Sequence, residues 1–108
     1  MIGALVTPYA LLVLAGALLC NCIPHLAAGL RGEAFPTPFA SPPGRGLSSP
    51  LLNFVWGAAN LSLGVWLLGP LVDTNPRWGR LAVAVGFVAL GSFLSRHMAR
   101  TRAERGEP

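Results

Sequence analysis

Residues 2–23 read IGALVTPYALLVLAGALLCNCI, twenty-two positions without a formal charge. Thr7, Pro8 and Asn21 are its only departures from apolar or small character. A helix needs about 20 such residues to cross the hydrocarbon core, with a lower limit of roughly 17. Two further stretches meet the same test. Residues 51–72, LLNFVWGAANLSLGVWLLGPLV, carry no charge, and residues 78–94, WGRLAVAVGFVALGSFL, carry only Arg80 near their start. The expectation is an all-α polytopic membrane protein with three transmembrane helices. They are placed at about 2–23, 51–72 and 78–95. A Pro/Gly-rich loop (24–50) joins helices 1 and 2, and a basic tail (96–108) follows the last.

Composition supports this reading. Charged residues are 11% of the 108, against about 25% in a soluble domain, and hydrophobic residues are 53%. A water-soluble chain this small buries only about 60–70% of its surface, which would leave much of that apolar area wet. The length allows one domain, 1–108, embedded in the membrane. The first stretch lacks a basic leader and exceeds the usual 7–15-residue core of a signal peptide, so it is expected to stay as a span. Cys20 and Cys22 lie two apart, which on a helix points their thiols about 200° from each other. They are expected to be free and buried.

The loop PHLAAGLRGEAFPTPFASPPGRGLSSP, residues 24–50, holds six prolines and four glycines. Pro24 is expected to stop or kink the first helix, with a short helix possible over 25–30 and an extended path from Phe35 to Pro43. Phe35, Phe39 and Leu47 give it more apolar character than a disordered segment has. The loop is therefore expected to pack on the protein or lie among the headgroups. Ser49 followed by Pro50 is a strong helix start. The polar turn Asp73–Pro76 separates spans two and three, and residues from Thr101 onward are expected to form a frayed or solvated tail.

Three spans put the loop and the C-terminus on one side. That side carries Arg31, Arg45, Arg96, Arg100, Arg102 and Arg105, the other Arg77 and Arg80. Basic residues favour the cytoplasm. The expected orientation in the cell membrane is N-terminus outside, loop and tail inside.

Two constellations are candidates for binding. Asn53 and Asn60 are seven apart, hence within about 20° of each other on a helix, and Gly57 and Gly64 lie close to that face. A face of amides and small residues suits a helix–helix seam or the lining of a polar path. Ala82, Gly86 and Ala89 form a similar stripe on span three. The second constellation is PPGRGLSSP. Arg45, Ser48 and Ser49 stand where a helix N-terminus favours an anion, with two glycines that would let backbone approach a headgroup. His25 and His97 are both expected near the cytoplasmic interface. Their pattern with Cys20 and Cys22 matches no strong metal or haem set, and no cofactor is expected. No Asp, Glu or Lys lies near the centre of a span, which argues against proton-coupled transport. No catalytic motif is present, so no enzyme is expected.

These readings converge on a small binding or accessory module whose loop contacts a lipid headgroup or partner protein. The alternative is a homo-oligomeric channel or transporter lined by the polar face of helix 2. Membrane lipids are expected partners, together with further copies or a larger membrane protein. Glu104 and Glu107 dilute the basic tail, and no nucleic acid is expected.

Overall fold

The computed structural model describes residues 2–69, 71 and 76–107. Three helices dominate it: α1 (Ile2–Leu30), α2 (Pro50–Leu67) and α3 (Gly79–Glu104). A two-residue ladder, β1 (Phe35–Pro36) against β2 (Leu47–Ser48), closes the loop between α1 and α2. All three helices are long and apolar enough to cross a bilayer. The chain is a small all-α membrane protein, as its apolar stretches require.

Helix α1 continues past Pro24. The proline removes one backbone donor, a loss that neighbouring helices make tolerable in a membrane. The actual stop is Gly32. It takes φ of 71°, its N–H donates to Gly29 O at 3.1 Å, and Glu33 N–H donates to Ala28 O at 2.8 Å. These are the two bonds of a Schellman motif, which needs the left-handed conformation that glycine adopts freely. Helix α3 ends the same way. Gly106 has φ of 74°, its N–H reaches Ala103 O, and Glu107 N–H reaches Arg102 O at 2.9 Å. The loop thus shrinks from the expected 24–50 to 31–49. The expected tail is a helical extension through Glu104 rather than a frayed end. Its Thr101 is 1% exposed.

Helix α2 starts where Ser49-Pro50 says it should. Ser49 Oγ accepts from Leu52 N–H at 3.1 Å, and Pro50 occupies the first turn. Leu67 is its last residue, earlier than the expected 72. Pro70 and the turn residues Asp73–Asn75 lie outside the described residues. At the start of α3, the Arg77 guanidinium lies over the Trp78 ring, 5.1 Å from its centre. Trp78 N–H reaches the Tyr9 hydroxyl at 3.5 Å. Arginine and two aromatics at one level mark the membrane edge opposite the loop.

Helix α1 is the common partner of the other two. Both α2 and α3 lie along it, and among the described residues they scarcely touch each other. Small residues set the two seams. A Cβ on Gly86 would collide with the Val13 carbonyl, and one on Gly16 with the Val83 carbonyl. Along α2, a Cβ on Gly57 would meet Leu26 at 2.8 Å and one on Gly64 would meet Leu19 at 3.1 Å. Close backbone approach of this kind is how helices adhere without a hydrophobic driving force. The small-residue faces expected to form helix–helix seams do so inside one chain. On α3 the seam runs through Gly79, Ala82 and Gly86. Ala89 is exposed, and Gly91 faces Cys20 instead. Cys20 and Cys22 are free and buried, and Cys22 Sγ donates to Leu19 O.

A candidate ligand cavity beneath the hairpin

Asn53 organises the loop side of the molecule. It is 0% exposed. Its Nδ2 donates to Phe35 O at 3.0 Å, Ser48 O at 3.2 Å and Ser49 O at 3.0 Å. Its Oδ1 meets His25 Nδ1 at 2.8 Å. One amide therefore ties both strands and α1 to the start of α2. Two turns on, Asn60 is 4% exposed. Its Nδ2 donates to Trp56 O at 2.8 Å, and its Oδ1 accepts from Asn21 Nδ2 at 3.0 Å. The polar face of α2 is real, but it is turned against α1 and the hairpin. It is spent on packing within one chain and is not presented to a lumen between copies.

The second constellation does not assemble. Ser48 Oγ is buried against Thr37 Oγ1 at 2.6 Å. Ser49 Oγ is the cap of α2. Arg45 is exposed and reaches Glu104 on α3 at 3.4 Å, while its own carbonyl accepts from Arg105 Nη1. The glycines beside it serve the turn. Gly44 takes φ of 71°, and its N–H donates to Thr37 O at 2.8 Å. A Cβ on Gly46 would strike the Ser41 carbonyl. The expected extended path is thus a folded hairpin tip. Nearby, both helix-ending Arg-Gly-Glu segments pair internally, Arg31 with Glu33 and Arg105 with Glu107. The Arg31 guanidinium holds the Glu33 carboxyl below its ordinary range, and Arg105 does the same for Glu107.

What the loop side does contain is a cavity of about 260 Å³. Helix α1 supplies Asn21 and His25, α2 supplies Trp56, and α3 supplies Phe93, Leu94, His97 and Met98. Pro36, Thr37, Pro38 and Gly44 of the hairpin close its end. His97 Nε2 bonds Gly44 O at 2.7 Å, pinning the hairpin tip to α3, and its ring stacks on Phe93. Phe39 packs edge-on to Trp56 with ring centres 5.0 Å apart, and Phe35 packs edge-on to His25. The two histidines do approach one space, as their expected shared level allowed. Among the described residues no cluster of metal-ligating groups forms.

Two residues that line this cavity each carry a side-chain nitrogen without a protein partner among the described residues. Trp56 Nε1 is fully buried and has no hydrogen-bond partner. His25 is 3% exposed, and only its Nδ1 is bonded among the described residues. Buried polar atoms are almost always satisfied, and an orphan points to water, an ion or a ligand. Trp56 escaped sequence reading because an indole in an apolar span reads as ordinary lipid-facing bulk. Its midspan position was the available signal, since a buried indole N–H normally finds a partner. Comparison of the chain with protein-family models, with curated proteins and with solved structures finds no match.

Proposed function

We propose that the protein is a membrane-embedded binding module that holds the polar end of a membrane lipid in the cavity beneath its hairpin. The cavity itself carries this reading, because α1, α2, α3 and the hairpin all contribute to its walls. The cavity is walled largely by apolar and aromatic side chains with a few convergent polar atoms, the usual make-up of a ligand site. The module is not an enzyme. In support of this reading, among the described residues Thr37 is the one hydroxyl lining the cavity, and it is bonded to Ser48 and not to a histidine. The six arginines on the loop side support a cytoplasmic hairpin and an external N-terminus in the cell membrane. Lipid is the primary partner. The outward side chains of α3, among them Leu81, Val85 and Val88, offer a surface to a second copy or a larger membrane protein.

Thermal unfolding in detergent, with and without added membrane lipid, tests the reading. A ligand that binds the folded state alone raises the melting temperature by mass action. The native chain is expected to gain several degrees and Trp56→Phe clearly less. Equal gains in both chains would refute a cavity site.

A further inference from the structure

We infer that Arg96 and Arg100 hold the phosphate of an anionic membrane phospholipid, in a groove along α3. This site goes beyond the cavity beneath the hairpin and does not depend on it.

The arginines of the loop side divide into two kinds. Arg31 pairs with Glu33, Arg45 with Glu104 and Arg105 with Glu107. Arg102 lies within electrostatic reach of Glu33 and Glu107. Arg96 and Arg100, in contrast, have no ion pair and no hydrogen bond among the described residues. They stand four positions apart on α3, about 40° from each other around its axis. Like charges at this spacing repel and disfavour the helix. An anion between them replaces that repulsion with two charge-assisted contacts, and the guanidinium fork matches phosphate geometry.

The surroundings suit a phosphate. A groove of about 360 Å³ is lined by Ala89, Ser92, Phe93, Arg96, His97 and Arg100. Among the described residues no carboxylate lines it. Ser92 lies four positions before Arg96, about 6 Å deeper along the helix. Its hydroxyl has no partner among the described residues and is free to donate a third bond. One wall is fixed in advance. His97 Nε2 donates to Gly44 O at 2.7 Å, and its ring stacks on Phe93 with planes 9° apart. A wall already ordered lowers the cost of binding.

Depth and charge name the source of the phosphate. Below Ser92 the groove reaches Ala89, about 10 Å deeper than Arg96, at the level of the exposed apolar side chains Val85 and Val88. A phosphate with an acyl chain beneath it follows this course, whereas a free phosphate would meet only the upper end. A choline headgroup would bring its own cation toward two unneutralised guanidiniums, and an anionic headgroup brings none.

Nanodiscs holding the full chain would be made from equal parts of dioleoyl phosphatidylglycerol and dioleoyl phosphatidylcholine. Native mass spectrometry reads which lipid stays with the protein. Phosphatidylglycerol is expected to be retained about tenfold over phosphatidylcholine, the worth of about one hydrogen bond to a charged group. Arg96→Gln and Arg100→Gln, each checked for an unchanged circular dichroism spectrum, should each lose most of that preference. Arg31→Gln removes the same charge from a paired arginine and should keep it, as should Trp56→Phe. Equal retention of the two lipids would overturn the inference. An equal loss in all three arginine variants would also overturn it, reducing the site to diffuse surface charge. A loss in Trp56→Phe alone would overturn it by moving the phosphate into the cavity. Excess inorganic phosphate should leave the lipid in place, and displacement would overturn lipid as the source. In the unmutated chain, phosphatidylglycerol bearing a diazirine high on its acyl chain should label Ala89–Phe93. Labels confined to the opposite end of the helices would contradict the site without recourse to any variant.

Discussion

Asn53 and Asn60 look alike in sequence and do different work. Asn53 joins α1, α2 and both strands through four hydrogen bonds. Asn60 joins α1 to α2 through one bond to Asn21 and returns the other to its own helix. Removing a buried partner leaves the remaining groups unsatisfied at about 1–3 kcal/mol. Asn53→Leu should therefore destabilise the protein by about 3 kcal/mol and raise hydrogen exchange at Phe35 and Ser48. Interhelical hydrogen bonds in membranes average only about 0.6 kcal/mol, so Asn60→Leu should lose about 1 kcal/mol with the hairpin still protected. Denaturant titration in detergent, read beside exchange, separates the two. Their shared face was legible from the seven-residue spacing. Their partners were not, because His25 and Phe35 meet Asn53 only after the chain has turned back on itself. The same limit hid the orphaned N–H of Trp56, at which its place within the span hints but which only the assembled fold shows.

At the scale of elements, the reading of helix starts succeeded and that of helix ends failed. Ser49-Pro50 states its own consequence, because capping is local: Ser49→Ala should lose about 1 kcal/mol in the same titration. The end of α1 was missed because proline was weighted above glycine. Pro24 sits within α1, where a membrane-buried helix tolerates it. Leu30-Arg31-Gly32-Glu33 and Glu104-Arg105-Gly106-Glu107 carry the true stop signal twice. The seams between helices test the account of close approach. Gly86→Ala puts a methyl into the Val13 carbonyl, and overpacking of this kind typically loses about 1–3 kcal/mol. Gly3→Ala has nothing within 4 Å and should be neutral or slightly stabilising. Equal effects of the two substitutions on thermal unfolding would refute the packing of α3 on α1.

For the whole molecule, three spans place the hairpin and the C-terminus on one face. A reporter fused after residue 108 should be active only in its cytoplasmic form, and a reporter ahead of residue 1 only in its external form. The reverse pattern would turn the cavity to the outer leaflet without altering its chemistry. Hydrophobic lengths alone established the class of fold, since nothing but a bilayer accommodates three such stretches in 108 residues. The cavity was beyond reach of that argument, because it exists only where α1, α2, α3 and the hairpin converge. The most direct test of its role is the indole N–H of Trp56 itself, observed by nuclear magnetic resonance in ¹⁵N-labelled protein kept in its membrane lipid. The account predicts a nuclear Overhauser contact from that proton to protons of a bound amphiphile, absent in Trp56→Phe. Exchange with water as the only contact of that proton would contradict it.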